Sequence, residues 1–133
     1  MKIQHHSTVQ NIFDQFSSVF PYLKLEIYCK GHVETEGSRT EDLINQNTVL
    51  IDINPDLSEK TFYIDPIMSV SDFEMMMKDK FCLHVQVFRK SNTIWLQTTT
   101  TDNWTLKKQN EKGKKSTFDY KIEPVAITDF DVD

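Results

Sequence analysis

"FEMMMKDKFCLHVQVFRK", residues 73–90, decides the fold, because "FDQFSSVFPYLKLEIYCK" at residues 13–30 says nearly the same thing earlier in the chain. Overlaid, the two stretches match Phe13 with Phe73, Phe16 with Met76, Leu23 with Leu83, Leu25 with Val85, Ile27 with Val87, Tyr28 with Phe88 and Lys30 with Lys90. In each, apolar residues first recur at helical spacing and then alternate with polar ones, the pattern of a strand with one buried face. A helix-strand unit therefore occurs twice, by duplication or as two solutions to one packing problem. Both helices are expected to cover one side of a common sheet. The resulting fold class is α+β, a two-layer sandwich with one mixed or antiparallel sheet of about four to six strands and two helices packed on one face.

Outward from these units the signals are local. The first helix covers residues 9–20, with Ser7 or Thr8 as cap and Pro21 as stop. Ser71 with Glu74 reads as a capping box for the second, whose stripe is Phe73, Met76, Met77 and Phe81. Its methionine run, Met75 to Met77, reads as core filling. Between the units, "TVLIDI" (48–53) and "TFYID" (61–65) look like a hairpin joined by the turn-forming "NPDLSE". A long polar loop at 31–47 precedes them, plain or with a short helical turn at "TEDLI".

Downstream, Ser91-Asn92 suits a tight hairpin turn, and Thr101 or Asp102 caps a third helix that runs to Lys112 and stops at Gly113. In the end segment, Phe118, Tyr120 and Ile122 alternate as in a strand before Pro124. The domain reading is a single α+β domain at 1–117 with an acidic, apolar segment at 118–133 docked on it.

Composition bounds the function. A chain of 133 residues with 38% hydrophobic content builds one core. Its net charge of -5 disfavours nucleic acid as the partner, although five lysines between Lys107 and Lys115 keep that class as a lesser alternative. No apolar run reaches the roughly 18 to 20 residues of a membrane span, and "MKIQHHSTVQ" lacks a signal-peptide core. A cytoplasmic location with Cys29 and Cys82 as free thiols is expected. No membrane contact is expected.

Catalytic chemistry finds no motif. Cys29 and His32 have C-x-x-H spacing, but His5, His6 and His84 supply no second ligand pair, so no metal is assigned. Three glycines build no nucleotide loop, no nucleophile motif is present, and Glu34, Glu36, Glu41 and Asp42 read as a solvated charge run. No catalytic residue and no cofactor are assigned, and whether the chain is an enzyme stays open.

What remains is a surface. With a Ser91-Asn92 turn, Phe88 falls opposite Trp95, Gln86 opposite Gln97 and His84 opposite Thr99, with Val85, Val87 and Leu96 turned to the helices. The other face then carries Tyr28, His84, Gln86, Phe88, Trp95 and Gln97. Clustered rings on a polar sheet face suit recognition of another chain. The functional reading is a non-enzymatic protein-interaction or self-association domain, with a protein partner or a homo-oligomer such as a dimer. A small-ligand binder or enzyme with a site near His84 is the alternative, and a purely structural layer covered by the third helix or the end segment is the bland one.

The run "VSDFEMMMKDKFCLHVQVFRKSNTIWLQTTTTDNWTL" resembles a small uncharacterised bacterial α+β family, a domain of unknown function. That resemblance implies a similar fold and brings no activity, substrate or site residue. "TFYIDPIMSVSDFEMMM" is also similar to the strand, turn and helix of β-grasp domains, which lack a helix before the first strand.

Overall fold

A computed structural model describes residues 1–29, 37 and 39–122. Expectations concerning Lys30, Gly31, His32, Glu34, Glu36 and residues 123–133 lie outside the described residues. The class is α+β, built from β1 (Lys2–Ile3), α1 (Val9–Val19), β2 (Leu23–Tyr28), α2 (Leu50–Ile53), β3 (Lys60–Thr61), α3 (Val70–Phe81), β4 (His84–Ser91), β5 (Ile94–Gln97) and α4 (Leu106–Ile122).

The strands form two antiparallel sheets, β1-β3 and β2-β4-β5, in place of the single larger sheet expected. Alternate residues of β2 and of the stretch that enters β4 are buried against α1 and α3: Leu23, Leu25, Ile27, Leu83, Val85 and Val87 are at most 2% exposed. Phe16 of α1 and Phe73 of α3 meet with ring centroids 5.2 Å apart, closing the helix layer. At about 25 cal/mol per Å² of buried apolar surface, this contiguous cluster is the main source of stability.

The helix-strand unit does occur twice, and the backbone extends the equivalence. Thr8 caps α1 and Ser69 caps α3, each accepting from the amide three residues on, Asn11 and Asp72. Each cap also forms an isolated antiparallel bridge, to Val49 and Thr105 respectively. Around these bridges the hydrogen bonds correspond: Val9 N–H donates to Thr48 O as Val70 N–H does to Trp104 O, and Leu50 N–H donates to Ser7 O as Leu106 N–H does to Met68 O. In the ladder Glu26 lies directly opposite Gln86, its own counterpart in the repeat, so the two units are related by an approximate two-fold axis through that pair.

Several local expectations are corrected. "TVLIDI" is a bridge residue followed by the short helix α2, because Leu50 and Ile51 donate to Ser7 O and His5 O and so tie the run to the α1 cap. A short apolar run of this kind has no periodicity that separates strand from helix. "TFYID" supplies only the end of β3, whose partner is β1, so the N-terminal stretch is paired, with the His5 Nε2 atom 2.7 Å from Leu57 O. Ser71 lies inside α3; Ser69 is the cap.

The hairpin turn is Asn92-Thr93, with Asn92 at φ 55° in the left-handed region that asparagine tolerates. The threonine run leaves the strand at once, since residues 99–101 form a 3-10 turn. α4 does not stop at Gly113, which is buried and has no positive φ: a Cβ there would sit 3.0 Å from Tyr22 Cβ and Tyr22 O. Glycine serves close approach of α4 to β2 rather than a helix end. The helix continues to Ile122, so residues 118–122 are helical and not a strand.

Candidate functional site

Strand alternation sends Lys24, Glu26 and Tyr28 of β2 and His84, Gln86, Phe88 and Lys90 of β4 to the side away from α1 and α3. Because the turn is Asn92-Thr93, Lys90 stands opposite Trp95 and Phe88 opposite Gln97, which corrects the pairing of Phe88 with Trp95. It equally moves Leu96 from opposite Val87 to opposite Arg89 at the sheet's edge, where it is 38% exposed rather than core. The six expected residues still share one face, since the shift is by an even number of positions.

Their accessibility divides them. Gln86 is wholly buried, its Nε2 donating to Val87 O at 3.0 Å, and Tyr28 is 4% exposed, so neither offers a contact surface. Phe88, Trp95, Gln97 and His84 are half-buried. Gly37 lies against this face, where an added Cβ would fall 2.3 Å from Gln97 Oε1.

Over the rings sit two lysines. The Lys24 ammonium is 5.2 Å from the Phe88 ring centroid and 5.4 Å from that of Trp95, and the Lys90 ammonium is 5.0 Å from Trp95. Lys24 also reaches Glu26 at 3.4 Å. A cation over an aromatic face contributes roughly 0.5–1 kcal/mol at an exposed site. Sequence reasoning misses the lysines as site residues; their signal is Lys24 directly opposite Phe88, visible once the β2-β4 register is known.

On the edge, β5 adds exposed apolar surface on its opposite side: Ile94 is 57% exposed. Ile94 and Leu96 thus present exposed apolar surface on the strand that ends the sheet order, with half-buried Trp95 between them on the other face. The lysines of α4, Lys107 to Lys115, are exposed on its outer side, away from buried Leu106, Gln109 and Gly113. Lys108 stacks 4.2 Å above the Trp104 centroid, and the Arg89 Cζ lies 5.6 Å from the same centroid. Burial pushes the Arg89 guanidinium below its ordinary value, and its Nη1 donates to Gln109 Oε1 at 2.8 Å.

At the other end of the sheet, Tyr28 faces His84 as Lys24 faces Phe88. A cleft of about 370 Å³ opens here, lined by Tyr28, Cys29, Ile44, Asp52, Cys82 and His84, with Ile53. Burial, reinforced by the Glu26 carboxylate, pushes the Tyr28 phenol up to about 12, so it stays protonated as a donor across the physiological range. Among the described residues, no three histidine, cysteine or acidic side chains are placed to hold a metal ion, and no helix is long and apolar enough to cross a membrane.

No protein-family model matches the sequence, and neither curated proteins nor solved structures give a match.

Proposed function

We propose that this chain is a non-enzymatic interaction domain that self-associates, or takes another protein, through β5 and the lysine-covered rings beside it. The observation that carries this reading is the run Ile94, Trp95 and Leu96 on an edge strand, with Ile94 and Leu96 exposed on one side and half-buried Trp95 on the other. An edge strand exposes unpaired backbone donors and acceptors, and apolar residues on it favour pairing with a further strand. Phe88, Trp95, Lys24 and Lys90 extend the run into a cationic aromatic patch, a composition suited to an interface centre and to acidic surface on the partner. A second copy supplies that complement, since the chain carries a net -5 and exposes Asp52, Asp56, Glu59, Asp65, Asp72 and Asp79.

The experiment is a dilution series of native mass at low and high salt. Self-association through charged contacts gives a dimer at low salt whose dissociation shifts to higher concentration with added salt. A mass of one chain at all concentrations contradicts self-association.

The cleft beside His84 supports a second reading, a site for a small polar ligand held by His84 and Asp52. A ligand there would shift the His84 ring resonances and leave those of Trp95 unchanged.

A further inference from the structure

We propose that Cys29 and Cys82 form one modification site, a dithiol that reacts with low-molecular-weight disulfides and closes to an intramolecular disulfide beside the His84 cleft. Three observations converge on the pair. Both cysteines are free and exposed, and both line the same cleft. The β2-β4 ladder ends with Tyr28 opposite His84, so one further step in that register sets Cys29 against Leu83, the chain neighbour of Cys82. Opposed residues in an antiparallel pair have Cα atoms about 4.5–5.5 Å apart, and Cys82 lies one residue, about 3.8 Å, beyond Leu83, which sets the two cysteine Cα atoms on the order of 6 Å apart, toward the upper end of the disulfide window of about 4.4–6.8 Å.

The third observation is the backbone. Cys82 closes α3 in the left-handed region, at φ 52°, a position glycine normally takes because a Cβ there is disfavoured. A side chain kept at such a cost points to use. Cys29 is held from the other side, its backbone N–H donating to Asp42 O at 2.8 Å and its thiol to Asp42 Oδ1 at 3.8 Å.

The chemistry balances with a disulfide RSSR as oxidant. One deprotonated thiol attacks a sulfur of RSSR, forming a mixed disulfide and expelling the first thiolate, which takes up the proton released. The second cysteine then attacks the protein sulfur of that mixed disulfide and expels the second RSH. Two protein thiols are oxidised to one disulfide as one RSSR is reduced to two thiols.

The test is intact mass after incubation with oxidised glutathione, without reductant. The wild-type chain is expected to lose two hydrogens and keep no glutathione, with a peptide linking Cys29 to Cys82 after digestion. Cys29→Ser and Cys82→Ser, both at exposed positions, are each expected to retain one glutathione, because the resolving thiol is gone. Wild-type protein that keeps one or two glutathiones, forms disulfide dimers, or does not react overturns the proposal.

Discussion

Glu74 is an acidic residue on the buried face of an amphipathic helix, and its removal should show why β5 can be so short. β5 ends at Gln97, after which Thr98 turns away, donating through both N–H and Oγ1 to Val87 O at 3.2 and 2.9 Å. The Val87 N–H on the same side of β4 has no strand acceptor there, and Glu74 Oε2 accepts it at 3.0 Å. Glu74 is 9% exposed and Val87 fully buried, so water does not replace that acceptor. In Glu74→Ala the amide is left unsatisfied and a charge-assisted bond is removed, a cost of about 2–3 kcal/mol. In a domain of this size that lowers Tm by on the order of 10 °C. Glu74→Gln keeps an acceptor oxygen and should retain roughly half of the difference. Urea and thermal unfolding measure the stability, and hydrogen exchange at the Val87 amide measures the cause. Destabilisation of less than about 0.5 kcal/mol, or unchanged exchange at Val87, refutes the reasoning.

Two further outcomes follow from single contacts. Gly113→Ala, which gains about 1 kcal/mol in an open helix, should instead destabilise by roughly 1 kcal/mol, because the new Cβ meets Tyr22 O, itself fixed by Lys90 N–H at 3.0 Å; denaturant unfolding reads the sign. Tyr28 has a folded pKa of about 12 against an unfolded 10.0, so its contribution is present below pH 10 and lost as pH rises to 12. Wild type should lose up to about 2–3 kcal/mol over that window relative to Tyr28→Phe, measured as the difference between their pH-stability curves.

The repeat is legible because both copies obey the same two periods, 3.6 in the helix and 2 in the strand, so Leu25, Ile27, Val85 and Val87 declare their face. What escapes the sequence depends on partners far away along the chain. "TVLIDI" has strand composition, yet its hydrogen bonds go to Ser7 and His5, which no local window contains. Glu74 fits a capping box by its spacing from Ser71; its true partner, Val87, becomes apparent only when β5 is seen to end early. Gly113 reads as a stop, and only the approach of Tyr22 shows why a helix carries glycine there. For the site, alternation is enough to put Tyr28, His84, Gln86, Phe88, Trp95 and Gln97 on one face. It does not reveal that Tyr28 and Gln86 are covered, nor bring Cys29 and Cys82 to one cleft, because burial and clefts arise from contacts between segments far apart in the chain.

Native mass by light scattering, compared between wild type and Trp95→Ala with melting followed in parallel, tests the interface most directly. Trp95 carries the Lys90 and Lys24 ammoniums over its ring on the strand that would pair, so an interface there places it among the dominant residues. Wild type should show twice the chain mass of 15.6 kDa, and Trp95→Ala should weaken association by about 2 kcal/mol or more while melting cooperatively near the wild-type temperature. A variant that melts well below wild type with its native mass unchanged would contradict this, because the Trp95 ring would then be holding its own domain together rather than joining two chains.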